Sequence, residues 1–364
     1  MHPTHVCIVR RPMRTARRAV PTLFAICAIG FGVFASLGCE QIDGRNRTRQ
    51  GNRLFRETKF VDAVAEYEKA LTTVPDPIIH YNAGIAYSKV FKPGVEKPVR
   101  LGLKGSFVCE VIPNTKSETA QVCVKDGDRR YDDCDDKNVC ASSYACQKVE
   151  LCTLEQQQAA AAAAEHFQKW LAANAKDDDT RKLMTQVWID SENYKLAIDY
   201  WSALLKDRPN DTEIMGNLAG INLKAGDWRT SIDWYIKVAD ASKDDADKVA
   251  ALQFIGNVAW SKLNSKTLTG PEMIELADKG IGALSKAAEI APKNPKLVGL
   301  QGSIYFFRGL VHGESFAGSI ERATAQDLQR KSRVLAEEAK KAEDAAAASE
   351  GVPTTPAPAA QAGG

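Results

Sequence analysis

The stretch GNRLFRETKFVDAVAEYEKALTTVP, residues 51–75, decides the fold. Gly51 and Leu54 set a small and a bulky residue three apart. Ala63, Tyr67 and Ala70 then set small, aromatic and small residues at i, i+4 and i+7, ahead of Pro75. Both spacings place the residues on one face of an α-helix, so the stretch reads as two helices closed by a proline.

The second face returns as Ala163/Phe167/Trp170, Ala197/Trp201/Leu204 with Pro209, Ser231/Tyr235/Val238, and Gly280/Leu284/Ala287 with Pro292. Ala163 to Ala197 is 34 residues, and Ala197 to Ser231 is 34 again. The first face returns as Gly84/Tyr87 and Thr185/Trp188, and more loosely as Ala219/Asn222, Gly256/Ala259 and Gly302/Tyr305. A fixed period of this length marks a repeat architecture, in which neither helix of a pair buries its face alone. With HYNAGIAYSKV (residues 80–90), these segments resemble the tetratricopeptide repeat over most of residues 44–310. The resemblance implies an all-α superhelical solenoid of about 5–6 helix-turn-helix repeats.

The spacing breaks once. Pro75 to Pro209 is 134 residues, 66 more than two periods. The surplus interrupts the second repeat, whose first helix ends near Val90 and whose second helix carries Ala163. The inserted segment, residues 91–153, holds Cys109, Cys123, Cys134, Cys140, Cys146 and Cys152. An even, clustered set without a Cys-x-x-Cys pair reads as a disulfide subdomain, with fifteen pairings open. LGLKGSFVCEVIP and TAQVCVKD read as two short strands forming a hairpin. Asp126, Asp128 and Asp132, in an acid-rich run, are weak calcium candidates, because the run lacks the glycine and terminal glutamate of an EF-hand. Otherwise no metal and no cofactor is expected.

The 364-residue chain is 44% hydrophobic and 26% charged, an ordinary globular composition. Its net charge of +2 comes from Arg10, Arg11, Arg14, Arg17 and Arg18, without which it is −3, so no nucleic-acid surface is expected. Those arginines precede twenty uncharged residues, 19–38, and Cys39 follows. This reads as a signal peptide over 1–38. Ser36-Leu37-Gly38-Cys39 resembles the lipobox of bacterial lipoproteins, with Cys39 the lipid acceptor and 39–49 a tether. The leucine stands one place later than usual. An uncleaved inner-membrane signal anchor is the alternative. Glu40 after the cysteine favours an outer-membrane anchor facing the periplasm.

The expected organisation continues with repeats one and two over 50–90, the insertion, repeats two to six over 154–310, a charged capping helix over 311–349, and a disordered Pro/Ala tail over 350–364. No His-Glu-x-x-His, Gly-x-Ser-x-Gly or P-loop motif occurs, and no enzyme is expected. The family resemblance implies a groove lined by first helices, and Asn52, Asn82, Asn217 and Asn257 with Lys89 are the candidate partner contacts. A side-chain amide both donates and accepts, so it can pair with a peptide backbone of any sequence. The expected role is a membrane-anchored scaffold that assembles or stabilises a cell-envelope complex through protein partners. The alternative is a receptor whose insertion binds calcium or a glycan.

Overall fold

The computed structural model describes residues 41–125, 131–265 and 267–350, with side chains to 346. The leader, Cys39, Asp126, Asp128 and the C-terminal tail lie outside the described residues. The protein is helical, and a small sheet occupies the insertion. Helices α1 (41–56) and α2 (Phe60–Leu71) form the first pair; α3 (Pro77–Val90) and α5 (Gln156–Ala173) form the second. Then follow α6 (Asp178–Asp190), which packs on α5, and α7 (Tyr194–Asp207), which packs on α8 (Thr212–Lys224); α8 pairs with α9 (Trp228–Ala241), α10 (Asp245–Asn264) with α11 (Gly270–Ile290), and α12 (Pro295–Val311) with α13 (Phe316–Glu350). The chain divides into two compact units at Asn193/Tyr194.

Local chemistry sets the ends of these helices. Asp76, Asp177, Asp211, Asp227, Asp244 and Asn294 each cap a helix by accepting a backbone N–H, and Pro77 and Pro295 open theirs. The turn that ends a first helix recurs as well. Thr58, Glu192 and Gly226 take left-handed φ values of 59°, 60° and 92°. After each, the next N–H reaches back to a helix carbonyl: Lys59 to Leu54, Asn193 to Trp188, Asp227 to Asn222. These are Schellman closures, and the last two stand one 34-residue period apart.

Close approach of paired helices follows from the small residues read in the sequence. A Cβ on Gly51 would lie 2.6 Å from the Tyr67 ring, one on Gly84 2.8 Å from Phe167, and one on Gly256 2.8 Å from Leu284. Tyr67, Tyr87, Phe167, Ile79 and Met184 are fully buried in the first unit, and Ile232, Ile255, Leu284, Leu297 and Ile304 in the second.

The insertion carries β1 (Val99–Leu103), α4 (Phe107–Val111), β2 (Lys116–Val124), β3 (Asp132–Asp133) and β4 (Ala145–Leu154), with strand order β1-β4-β2-β3. This corrects the expected hairpin. β1 pairs with β4 rather than β2, and FVCEV is a short helix. Val108 and Ile112 bury while Glu110 between them is exposed; a strand would set all three on one face, and a helix sets Glu110 apart. QKVELCTL was the unread strand, and it buries Leu151 to Leu154 on both faces, so it shows no alternation at its end. All six cysteines pair, as Cys109–Cys152, Cys123–Cys140 and Cys134–Cys146, with Cα separations of 5.9, 5.6 and 5.9 Å. At the stem the buried Gln156 accepts the Lys92 N–H (2.9 Å) and donates to the Lys97 carbonyl (3.0 Å).

α13 packs on α12 through small residues rather than an apolar stripe. Ile320 is 49% exposed. Gly299 and Gly302 leave room for Ser332 and Leu328, Gln329 donates to the Gly299 carbonyl, and Ser332 donates to that of Pro295.

Candidate functional site

The first-helix asparagines divide between the two units. In the first unit, Gly51 has no side chain to hold Tyr67 away, so the phenol lies along α1 and donates to Asn52 Oδ1 at 2.8 Å. Burial pushes the Tyr67 phenol up to about 12, so it remains a donor across the neutral range. α3 brings Asn82 to the same oxygen, with Nδ2 donating at 3.2 Å. Asn52 Oδ1 therefore accepts twice. The amide N–H2 of Asn52 and the carbonyl oxygen of Asn82 have no partner among the described residues.

This amide pair lines a 430 Å³ cleft with Phe55, Arg56, Tyr81 and Ile85. Tyr81 is held from behind by Trp170, with ring centroids 5.3 Å apart. Phe55 meets Phe60 edge-on at 5.2 Å. The cleft thus offers one donor, one acceptor and aromatic walls, the combination that an extended backbone with apolar side chains can satisfy. Lys89 is not part of it. It lies two turns farther along α3, exposed, in a separate 280 Å³ cleft with Asp62 and Arg100.

In the second unit Asn217 is half-buried on α8, and Asn257 is exposed on α10. Asn257 follows Gly256 as Asn52 follows Gly51. The likeness extends one turn farther, to Phe55 and Trp260, so α1 and α10 share Gly-Asn-x-x-aromatic. On α12 the same register gives Gly302 and Phe306. Trp260 and Phe306, 43% and 46% exposed, line a 370 Å³ cleft with Ser303, Phe307 and Gln329. Sequence reading passed over these aromatics. The signal was there, as an aromatic one turn after the close-approach glycine.

Of the three calcium candidates in the insertion, Asp132 alone lies among the described residues. Asp132 is exposed on the edge strand β3. Asp133 is taken by Arg100 (2.6 Å) and Lys97 (3.4 Å), and the Arg100 bond holds its carboxyl below the usual range. Asp135 accepts the Lys137 and Val139 N–H groups. Cys123, Cys134 and Cys140 bring their sulfurs together, but each is already bonded in a disulfide.

No family model matches the chain, and no curated protein matches it. Among solved structures it is similar to the TPR domain of P58(IPK), at 11% identity and a TM-score of 0.17, over 82% of this chain and 99% of that one. The repeat architecture is evident in the helix pairs, their Schellman turns and their glycine contacts. No helix among the described residues is long and apolar enough to cross a membrane.

Proposed function

We propose that the protein is a lipid-anchored scaffold of the bacterial cell envelope, tethered through Cys39 to the outer membrane and holding protein partners on its first helices. The observation that carries the binding reading is the Asn52–Asn82 pair, which presents one amide donor and one carbonyl acceptor beside Phe55 and Tyr81. Repeat helices ordinarily bury or solvate such amides, and these two are braced at one oxygen with their other ends open. The export reading draws support from three disulfides, which persist in oxidising compartments.

The test is site-specific photo-crosslinking in cells from position 85, at the cleft wall, followed by mass spectrometry of the captured proteins. One or a few envelope proteins captured near stoichiometry, and lost when Asn52→Ala and Asn82→Ala are combined, support the scaffold. Background alone, or capture indifferent to the double substitution, overturns the binding reading. Anchoring is tested separately by fractionation: Cys39→Ser moves the protein out of the membrane if the lipid holds it. Unchanged association assigns the anchor to the apolar segment 19–38.

A further inference from the structure

Away from this cleft, the geometry points to a site for a divalent transition-metal ion of the Zn²⁺ or Cu²⁺ kind, ligated by His80 of α3 and His166 of α5. Three features carry it. The two imidazoles face each other with Nδ1 to Nδ1 at 2.8 Å. A metal bound at about 2.0–2.1 Å to both, with an angle between square and tetrahedral, would hold those nitrogens about 2.9–3.3 Å apart. The separation is thus within a few tenths of an ångström of the bound one; the ring centroids, 5.1 Å apart, set the two lone pairs head-on, so the half-buried His80 ring swings aside for both to converge on the ion.

The second feature is what stands behind His166. Its Nε2 lies 3.1 Å from Glu68 Oε1, and the same oxygen accepts the Tyr87 O–H at 2.7 Å. A carboxylate can only accept here, so Nε2 carries the proton and the Nδ1 lone pair is turned toward His80. A carboxylate on the far nitrogen is the arrangement that fixes tautomer and ring orientation for a metal-ligating histidine. His166 is buried, stacked against Tyr87 with centroids 5.5 Å apart, so its ring is held in place.

The third is the room in front. The pair opens on a 370 Å³ cavity walled by α2, α3, α5 and the Pro113-Asn114 turn of the insertion. Glu165 lines it, and so does Gln158, whose Oε1 is buried without a hydrogen-bond partner among the described residues. A buried acceptor of this kind calls for a donor, and a water held in the cavity would supply it. Binding displaces the one proton shared between the two Nδ1 atoms; it leaves for solvent or moves to His80 Nε2. The site owes nothing to the cysteines, which are spent in disulfides.

The test is calorimetric titration of the full chain with Zn²⁺, alongside His80→Ala, Glu68→Gln and His312→Ala. His80 is only half-buried and His166 is buried, so the His80 variant disturbs the fold less. One equivalent of Zn²⁺ should bind, with affinity lost in His80→Ala, weakened about 10- to 100-fold in Glu68→Gln, and unchanged in His312→Ala. The melting temperature should rise with Zn²⁺ in the parent and not in His80→Ala. No saturable binding, or binding that survives His80→Ala, overturns the site.

Discussion

Gly84 and Phe167, separated by the whole insertion, lie in contact: a Cβ on Gly84 would sit 2.8 Å from Cδ1 and Cε1 of the Phe167 ring. It is the same fit that Gly51 makes with Tyr67 at 2.6 Å in an uninterrupted repeat. The insertion therefore leaves the second repeat whole and grows from its turn. Gln156 ties the two stems by bonding the backbone at Lys92 and Lys97. Gly84→Ala is expected to destabilise the first unit by about 1–3 kcal/mol, because a filled interior must shift to admit a methyl group. Urea denaturation measures it; an unchanged midpoint would mean that the ring is not held against α3.

Two glycines on α11 should answer oppositely to the same substitution. Gly280→Ala places a Cβ 2.6 Å from that of Ala259 and 2.9 Å from Ile304 Cδ1, both in the core, whereas at Gly282 nothing lies within 4 Å. Gly280→Ala should lose about 1–3 kcal/mol by overpacking, and Gly282→Ala should gain up to about 1 kcal/mol from helix propensity. Equal shifts in the two thermal melts would contradict the packing of α11 on α10 and α12.

How much of this was legible depended on whether a period was present. The helix pairs were readable because the face Ala63/Tyr67/Ala70 recurs, at 34-residue offsets from Ala163 to Ala197 to Ser231, and Gly51, Gly84 and Gly256 are matched in space by Tyr67, Phe167 and Leu284. The insertion has no period to recur, and its central strand β4 ends buried on both faces, so alternation failed there. Pairing among the six cysteines depends on that strand, since Cys146 and Cys152 both stand on β4. In the cleft, sequence placed Asn52 and Asn82 on successive first helices. It could not show that Tyr67 braces Asn52, since that bond depends on Gly51 admitting the ring.

Asp177 couples a helix end to the preceding repeat. Its carboxylate accepts the Thr180 N–H (3.0 Å), the Thr180 hydroxyl (2.7 Å) and the Trp170 indole N–H (2.6 Å). The Thr180 backbone bond, then the indole, holds its pKa below the ordinary carboxylate value. A depressed folded pKa gives stability that is present above the unfolded value of about 3.9 and lost as pH falls through the folded one. Asp177→Ala should cost about 1 kcal/mol at pH 7. That difference should shrink as pH falls below about 4. A gap that persists undiminished at pH 2 would assign the loss to something other than the carboxylate.

Tyr67 predicts the opposite sign at the alkaline end. Burial raises its phenol to about 12, while the unfolded chain ionises near 10. The stability linked to Tyr67 is therefore whole below about pH 10 and declines as pH rises toward the folded value. A phenolate absorbance titration of the folded protein should show a late step near 12 that Tyr67→Phe removes. The same variant takes one donor from Asn52 Oδ1, so it should also alter crosslinking from position 85. If Tyr67→Phe instead removed amplitude near 10, the phenol would not be enclosed against Gly51.

The turns inside the repeats supply the final test, since one conformation is filled by different residues. Glu192 at φ 60° and Gly226 at φ 92° occupy equivalent places in successive repeats. A side chain in the left-handed region costs about 1–2 kcal/mol, from which glycine is exempt. Glycine is also more flexible when unfolded, so the net gain from Glu192→Gly should be about 1 kcal/mol, and Gly226→Ala should lose a similar amount. Chemical denaturation of the two single variants measures both. If Glu192→Gly failed to stabilise, the Glu192 side chain would have to be making a contact that offsets its backbone strain; if Gly226→Ala were neutral, the Schellman turn between α8 and α9 would not be the conformation that the folded chain keeps.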